Sequence, residues 1–287
     1  MKIAVVGSEG YIANFVISRY RTRDYVDEIL CIDKSENADM YLDLEKPEEF
    51  DYSVLDKIDY IVFTAAISGP DACAENYDFC WKINVTGTEY FIKQAIDKKC
   101  KVLFFSSDAV FGDVPGMIYT EESLTCATTP YGKMKKAVED MYKSSQYFKA
   151  IRLSYVVSAK DRFVSYCKDC IEKQEIAEVF HPFYRNCIVV SDVVNVVEWM
   201  GLHWEKYEHN VLNVAGDELV SRVRIADELN RIFNGKLEYK LVIPEERFYE
   251  NRPRITQMKS IYLTQYAILK KESFTEKIQK EMEDIVL

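Results

Sequence analysis

The chain has 287 residues, 48% apolar and 29% charged, enough for one large domain or two small ones with a real core. Acidic residues outnumber basic ones, 47 to 37, and the net charge of −10 argues against nucleic acid as a partner, because phosphate contacts need a basic surface. No apolar run approaches the roughly 20 residues of a membrane helix, and the opening MKIAVVGSEG is too short for a secretory signal, so a cytoplasmic protein with no membrane partner is expected.

In chain order, short apolar runs alternate with longer amphipathic stretches. KIAVVG (2–7), EILCID (28–33), YIVFTAA (60–66), KVLFFSS (101–107) and KAIRLSYVV (149–157) lack polar alternation, as strands buried on both faces do. Helical stretches lie between them at about 10–21, 75–99 and 131–146. This β-α-β-α order predicts an α/β fold, a doubly wound parallel Rossmann sheet covered on both faces. Beyond 157 a helix is predicted at 161–174 and a strand at 175–180, then a short strand, a Ser191/Asp192 cap and a helix within 187–204. NVLNVAG (210–216) reads as a further strand, and Ser221 as the cap of RVRIADELNRIF. The last 70 residues mix helix and strand without the earlier rhythm. The expected organisation is a dinucleotide-binding domain, 1–157 with 187–216 returning to it, and a smaller C-terminal α/β substrate lobe, 158–186 and 217–287.

The eight cysteines sit mostly in apolar runs and read as small buried hydrophobes. Cys167 and Cys170 form a lone CxxC without a second pair or histidines at ligand spacing, so no metal is expected.

The first strand runs into Gly7-Ser8-Glu9-Gly10-Tyr11-Ile12-Ala13. Gly7 permits the tight turn, Gly10 lets backbone approach a pyrophosphate, and the helix opening at Tyr11 and Ile12 offers free N–H groups to the phosphates. Asp33 ends the second strand, about 20 residues on, where a carboxylate would bond the adenosine ribose. Such a carboxylate repels a 2′-phosphate and points to NAD; Lys34, directly after it, keeps NADP open. Asp43, in YLDLEKP, is placed near the adenine.

Ser106 and Ser107 close the fourth strand, at the edge where open α/β sheets bind ligands. Tyr131 and Lys135 follow, four residues apart and so on one helix face. A phenol is a poor acid–base group near pKa 10, and a nearby ammonium would lower it. The serine hydroxyl can hold a carbonyl or alcohol oxygen while the tyrosine passes the proton that accompanies hydride transfer.

At these residues the chain resembles the extended short-chain dehydrogenase/reductases that act on nucleotide sugars, the epimerase/dehydratase superfamily. The resemblance covers nearly the whole chain. GSEGYIA resembles the family's phosphate loop, FTAAISGP its cofactor-lining segment with Ala65 and Ala66, and INVTGT its N-V-x-G-T with Asn84. SSDAVFG aligns Ser107 with the catalytic serine or threonine, and YGKMK supplies Tyr131 and Lys135. RNCIVVSDVVNVV and VLNVAGDE are similar to two later family segments. Within the family, SSDAVFGD and NRPRITQMKS look most like the dTDP-4-dehydrorhamnose reductases.

The resemblance implies reduction of a 4-keto nucleotide sugar lying between the lobes. Ser107 would hold the C4 oxygen, Tyr131 donate the proton, and Lys135 bind ribose and tune Tyr131. Asn84, Ser106, Tyr131 and Lys135 would line the cofactor; Asp108, Tyr184, Arg185 and Arg252 are substrate candidates. Ala13 and the proline directly before Tyr131 depart from those reductases. Asp108-Ala109 stands where a 4,6-dehydratase would carry an Asp-Glu pair, which disfavours dehydration. Two alternatives stay open: an epimerase with tightly held NAD, and a catalytically silent NAD-binding regulatory subunit. Homodimers are common in the family it resembles, and no feature of the sequence fixes the oligomer.

Overall fold

The structure, a computed structural model, describes residues 1–283 and 285, so 284, 286 and 287 of the expected C-terminal lobe lie outside the described residues. The chain divides into two compact units. The first comprises Met1–Gly112, Leu124–Arg152 and Val194–Leu212; the second comprises Asp113–Ser123, Leu153–Val193 and Asn213 onward.

The first unit opens with β1 (Lys2–Val6), α1 (Tyr11–Tyr20), β2 (Glu28–Asp33), a short β3 (Met40–Tyr41), β4 (Tyr60–Phe63) and β5 (Lys101–Ser107). These join a seven-stranded sheet in the order Val211–Val214, Phe148–Leu153, β5, β4, β1, β2, β3. The β1–β2, β1–β4, β4–β5 and β2–β3 pairs are parallel. The winding reverses between β1 and β4, the switch point at which such sheets bind ligands. Register carries that geometry: Val6 lies opposite both Ile32 and Phe63, and Phe63 opposite Phe104. Gly7, Asp33, Thr64 and the Ser106-Ser107 pair therefore leave the sheet at one edge. The strands are β-branched and aromatic because both faces are covered: Ala4, Val6, Ile61, Phe63, Val102 and Phe104 are buried in one cluster with Phe91, Ile92 and Phe148.

Four predicted elements differ in detail. The run 60–66 ends as a strand at Phe63, because the N–H groups of Thr64 and Ala65 both turn to Val6 O, at 2.8 and 3.0 Å. The run 149–157 is two strands, Phe148–Leu153 and Val156–Val157, the latter pairing with Ile188–Val189. The predicted helix 75–99 breaks at Asn76 and passes through a π turn, Lys82–Gly87, before Thr88–Asp97. A wide π turn re-aims side chains, and here it carries Asn84. The helix predicted after a Ser191/Asp192 cap starts at Val190, so both residues lie in its first turn.

The second unit has its own core, with Val157, Phe163, Val179, Ile225, Leu229, Phe274 and Ile278 buried together. Cys167 and Cys170 pack inside it from the helix Arg162–Lys173. Four short strands join in the order Val220–Ser221, Tyr184–Arg185, Ile255–Met258, Ile118–Tyr119, and Tyr239–Val242 pairs with Ala177–Phe180. Ser221 caps the helix Arg222–Ile232, its hydroxyl accepting from Arg224 N at 3.1 Å. No described helix is long and apolar enough to cross a membrane.

Candidate active site

The glycine turn is built from its backbone. Gly7 sits at φ +83°, and a Cβ there would lie 2.6 Å from Ala65 N and 2.8 Å from Thr64 Oγ1, so a side chain is excluded by both conformation and space. Thr64, which sequence reasoning missed, ties the turn to β4: its hydroxyl reaches Val6 O at 2.9 Å and Gly7 O at 3.0 Å. Gly10 is the N-cap of α1 and supplies no side-chain cap, which leaves the first N–H groups of the helix to an anion. Val6, Gly7, Gly10, Asp33, Lys34, Leu42, Leu44, Thr64, Ala65 and Ala66 line a cleft of about 250 Å³. Leu42 and Leu44 were also missed; they come from a short, irregular segment without clear periodicity. The glycine cradle, the open helix terminus and the carboxylate at the cleft edge fit a dinucleotide.

Asp33 Oδ2 accepts from Glu9 N at 3.1 Å and Oδ1 from Ser35 N at 3.1 Å, so the glycine loop and the β2 end hold it in place. Lys34 is drawn away to Asp43 at 2.9 Å and Glu45 at 3.3 Å. Asp43 is thus occupied with Lys34 and Glu45 N and lies outside the cleft lining. Tyr11 packs edge-on against Phe15, and Ile12 is half-buried beside it on the first turn of α1. Asn84 is buried, with Oδ1 accepting from Ile67 N at 2.8 Å and Nδ2 donating to Ile67 O at 2.9 Å. It pins the segment after Ala65 and Ala66 and does not line the cleft itself.

β5 delivers the two serines to opposite faces, as strand alternation requires. Ser106 points inward, donating to Glu139 Oε1 at 2.5 Å. Ser107 caps the 3₁₀ turn Asp108–Phe111; its hydroxyl accepts from Ala109 N at 3.2 Å and donates to Asp108 Oδ1 at 3.1 Å. The helix Pro130–Tyr142 begins with Thr129 as N-cap, accepting from Gly132 N at 3.3 Å, and Pro130 at its first position. It rests on the Ser107 turn so closely that a Cβ at Gly132 would be 2.2 Å from Ala109 O. Ser107, Asp108, Tyr131 and Lys135 are thereby brought together. Tyr131 packs against the small cluster of Cys73, Cys80, Val85 and Met134.

The electrostatics run opposite to the sequence expectation for the phenol. Burial, with Cys73 and Asp108 adding to it, pushes Tyr131 above its ordinary value and keeps it protonated. Lys135, 2% exposed, lies 4.4 Å over the Phe104 ring and 5.7 Å from the Tyr131 ring centroid. Burial pulls it down to about 7, against Glu139 and Cys73. Desolvation outweighs the attraction of the two groups.

The substrate candidates of the second unit converge on residues 248–256. Tyr184 and Arg185 pair in parallel with Ile255 and Thr256. Arg185 is buried, stacked 4.3 Å over Phe183, and donates to Tyr184 O and Pro253 O. Arg252 lies 4.9 Å over Phe248. Arg222, unmarked in the sequence, stands among the rings of Phe163, Phe180, Phe183 and Phe248. Among the described residues no group of His, Cys, Asp and Glu could hold a metal ion.

The sequence profile of the NAD dependent epimerase/dehydratase family matches residues 3–215. The chain belongs to this family. UDP-glucose 4-epimerase 2 of Arabidopsis thaliana is 32% identical over 104 residues, 34% of this chain and 30% of that protein. The chain thus aligns with under a third of the length of that relative. A dTDP-4-dehydrorhamnose reductase from Clostridium acetobutylicum superposes with a TM-score of 0.84 at 18% identity, over 99% of both chains. The UDP-glucose 4-epimerase of Thermus thermophilus, solved with NAD, gives 0.78 at 17% identity over all of both chains. The family resemblance expected from the motifs and the Rossmann-type parallel sheet are both borne out.

Proposed function

We propose that this protein is an NAD(H)-dependent reductase of a 4-keto nucleotide-linked sugar. The observation that carries the reading is the seating of the Tyr131 helix on the Ser107 turn, in the same unit as the glycine cleft. The cofactor, held by Gly7, Gly10, Asp33 and the open end of α1, supplies the hydride when bound. Ser107 holds the sugar C4 oxygen by its hydroxyl. Tyr131, kept protonated by burial, donates its phenolic proton to that oxygen. Lys135 steadies the phenolate that remains and reaches the ribose. A protonated phenol is the form that donates a proton to the C4 oxygen. Tyr184, Arg185, Arg252 and Asp108 are the proposed substrate contacts.

The Arabidopsis relative supports a second reading, 4-epimerisation with retained cofactor. The two differ in stoichiometry. With purified protein, a reductase consumes one NADH per 4-keto nucleotide sugar supplied; an epimerase interconverts the C4 epimers of 4-hydroxy nucleotide sugars with no net change of absorbance at 340 nm. Absence of net oxidation with every member of a panel of 4-keto nucleotide sugars overturns the reductase.

NAD is proposed over NADP. A 2′-phosphate would approach Asp33, while the neighbouring ammonium of Lys34 is engaged by Asp43 and Glu45. Repulsion of about 1.4 kcal/mol makes NADH bind roughly tenfold more tightly than NADPH, and Asp33→Asn narrows that ratio. Fluorescence titration with both cofactors checks it; tighter NADPH binding refutes the preference.

A further inference from the structure

One turn beyond Lys135 on the same helix, Glu139 is 5% exposed and held on three sides. Its Oε1 accepts from Ser106 Oγ at 2.5 Å and Arg152 Nε at 3.1 Å, and its Oε2 accepts from Arg152 Nη2 at 2.6 Å. Arg152, also 5% exposed, comes from the strand Phe148–Leu153 and lies 4.9 Å over the Phe111 ring. Its Nη1 is buried without a hydrogen-bond partner. A buried ion pair with an unsatisfied donor is a poor stabiliser, because desolvation offsets its attraction and an apolar pair of similar volume would do as well. Its place beside Lys135 is what needs explaining.

Few charges reach Lys135. Its own helix presents Tyr131 and Glu139, the helix Pro70–Glu75 presents Cys73, the strand Phe148–Leu153 presents Arg152, and the turn Asp108–Phe111 brings Asp108 up to Tyr131; β5 offers the Phe104 ring and the Ser106 hydroxyl. Among the described residues Glu139 is the carboxylate that most favours the charged ammonium. Arg152 grips that carboxylate through a fork of two nitrogens, which fixes it on the strand side and keeps it from closing onto Lys135. Among the described residues no acceptor closes on the ammonium, which lies over the Phe104 ring and can donate elsewhere.

We propose that Glu139, clamped by Arg152 and Ser106, is a positioning residue that favours the charged form of Lys135 and leaves it uncommitted beside Tyr131. The inference rests on the reading of Tyr131 and Lys135 as the proton-transfer pair. Without the carboxylate, Lys135 loses its proton at lower pH. Activity that needs the ammonium then falls earlier on the alkaline side, since the charged fraction drops as pH rises through the titration point.

The test is a ¹³C NMR titration of lysine Cε in the full protein, with Lys135 assigned by its loss in Lys135→Arg. Glu139→Gln is expected to move the Lys135 midpoint down by about one pH unit, and Glu139→Asp, which retracts the charge by a methylene, by about half of that. Ser106→Ala keeps the charge and leaves the midpoint within about 0.3 units. An unchanged midpoint in Glu139→Gln overturns the proposal, and if that variant does not fold, an unchanged midpoint in Glu139→Asp does so. A fall in turnover that is equal at every pH, with an unmoved midpoint, assigns Glu139 a purely structural role. The titration needs no sugar substrate, so it stands or falls separately from the reductase assay.

Discussion

Tyr131→Phe will lower NADH-dependent reduction by about 10²–10⁴-fold, the usual contribution of a positioned general acid, while NADH binding and folding survive. The ring stays, and with it the packing against Cys73, Cys80, Val85 and Met134. Only the phenolic oxygen is lost, a group that burial and the neighbouring Asp108 hold in its protonated form. Removing a buried hydroxyl without stranding a partner costs little stability. The expected signature is a fall in kcat with KM nearly unchanged, because the lost interaction acts in the transition state. Steady-state turnover, an NADH fluorescence titration and a melting curve together check it. A Phe variant that keeps more than about a tenth of the activity removes Tyr131 from the proton-transfer role, since so small a loss falls below general-acid magnitudes.

How much of this site the sequence carried depends on how local each signal is. The Gly7–Gly10 turn, Asp33 at the β2 end and the Tyr131/Lys135 pair are read from spacing over a few residues, and all lie where that spacing puts them. Ser106 and Ser107 show the limit. Alternation says that they face opposite ways, but the flanking run is apolar on both faces, so nothing local says which one looks inward. The structure turns Ser106 toward Glu139. Glu139 itself, in KKAVED, reads as one more charge on a solvated helix; its burial comes from Arg152, thirteen residues on in another element. The short strands of the second unit were opaque for the same reason. Tyr184–Arg185 is two residues long and exists through pairing with Ser221-Val220 and Ile255-Thr256, contacts that no local pattern encodes. The helix across 75–99 was mis-drawn because a π turn and the break at Asn76 answer to tertiary packing. A Cβ on Gly87 would come 1.9 Å from Leu44 O.

Gly132→Ala reverses the usual expectation for a helix. Alanine is ordinarily better than glycine there by about 1 kcal/mol, and Gly132 has an ordinary helical role in the first turn of Pro130–Tyr142. Here the added methyl would meet Ala109 O at 2.2 Å and Ala109 C at 2.8 Å. That carbonyl belongs to the turn that Ser107 caps, so it cannot yield without disturbing the cap. The helix must move off the turn by an ångström or more, carrying Tyr131 away from Ser107. Overpacking of this kind costs roughly 1–3 kcal/mol of stability, and a displacement of about 1 Å between reacting groups costs on the order of 10²-fold in rate. Lys133→Ala, exposed on the same turn of helix, is the control and should leave both quantities nearly unchanged. Melting temperature and NADH turnover measured on the two variants decide the matter. A more stable Gly132→Ala with full turnover would mean that the helix and the Ser107 turn are not held in register by backbone contact, and the juxtaposition of Ser107 with Tyr131 would need another cause.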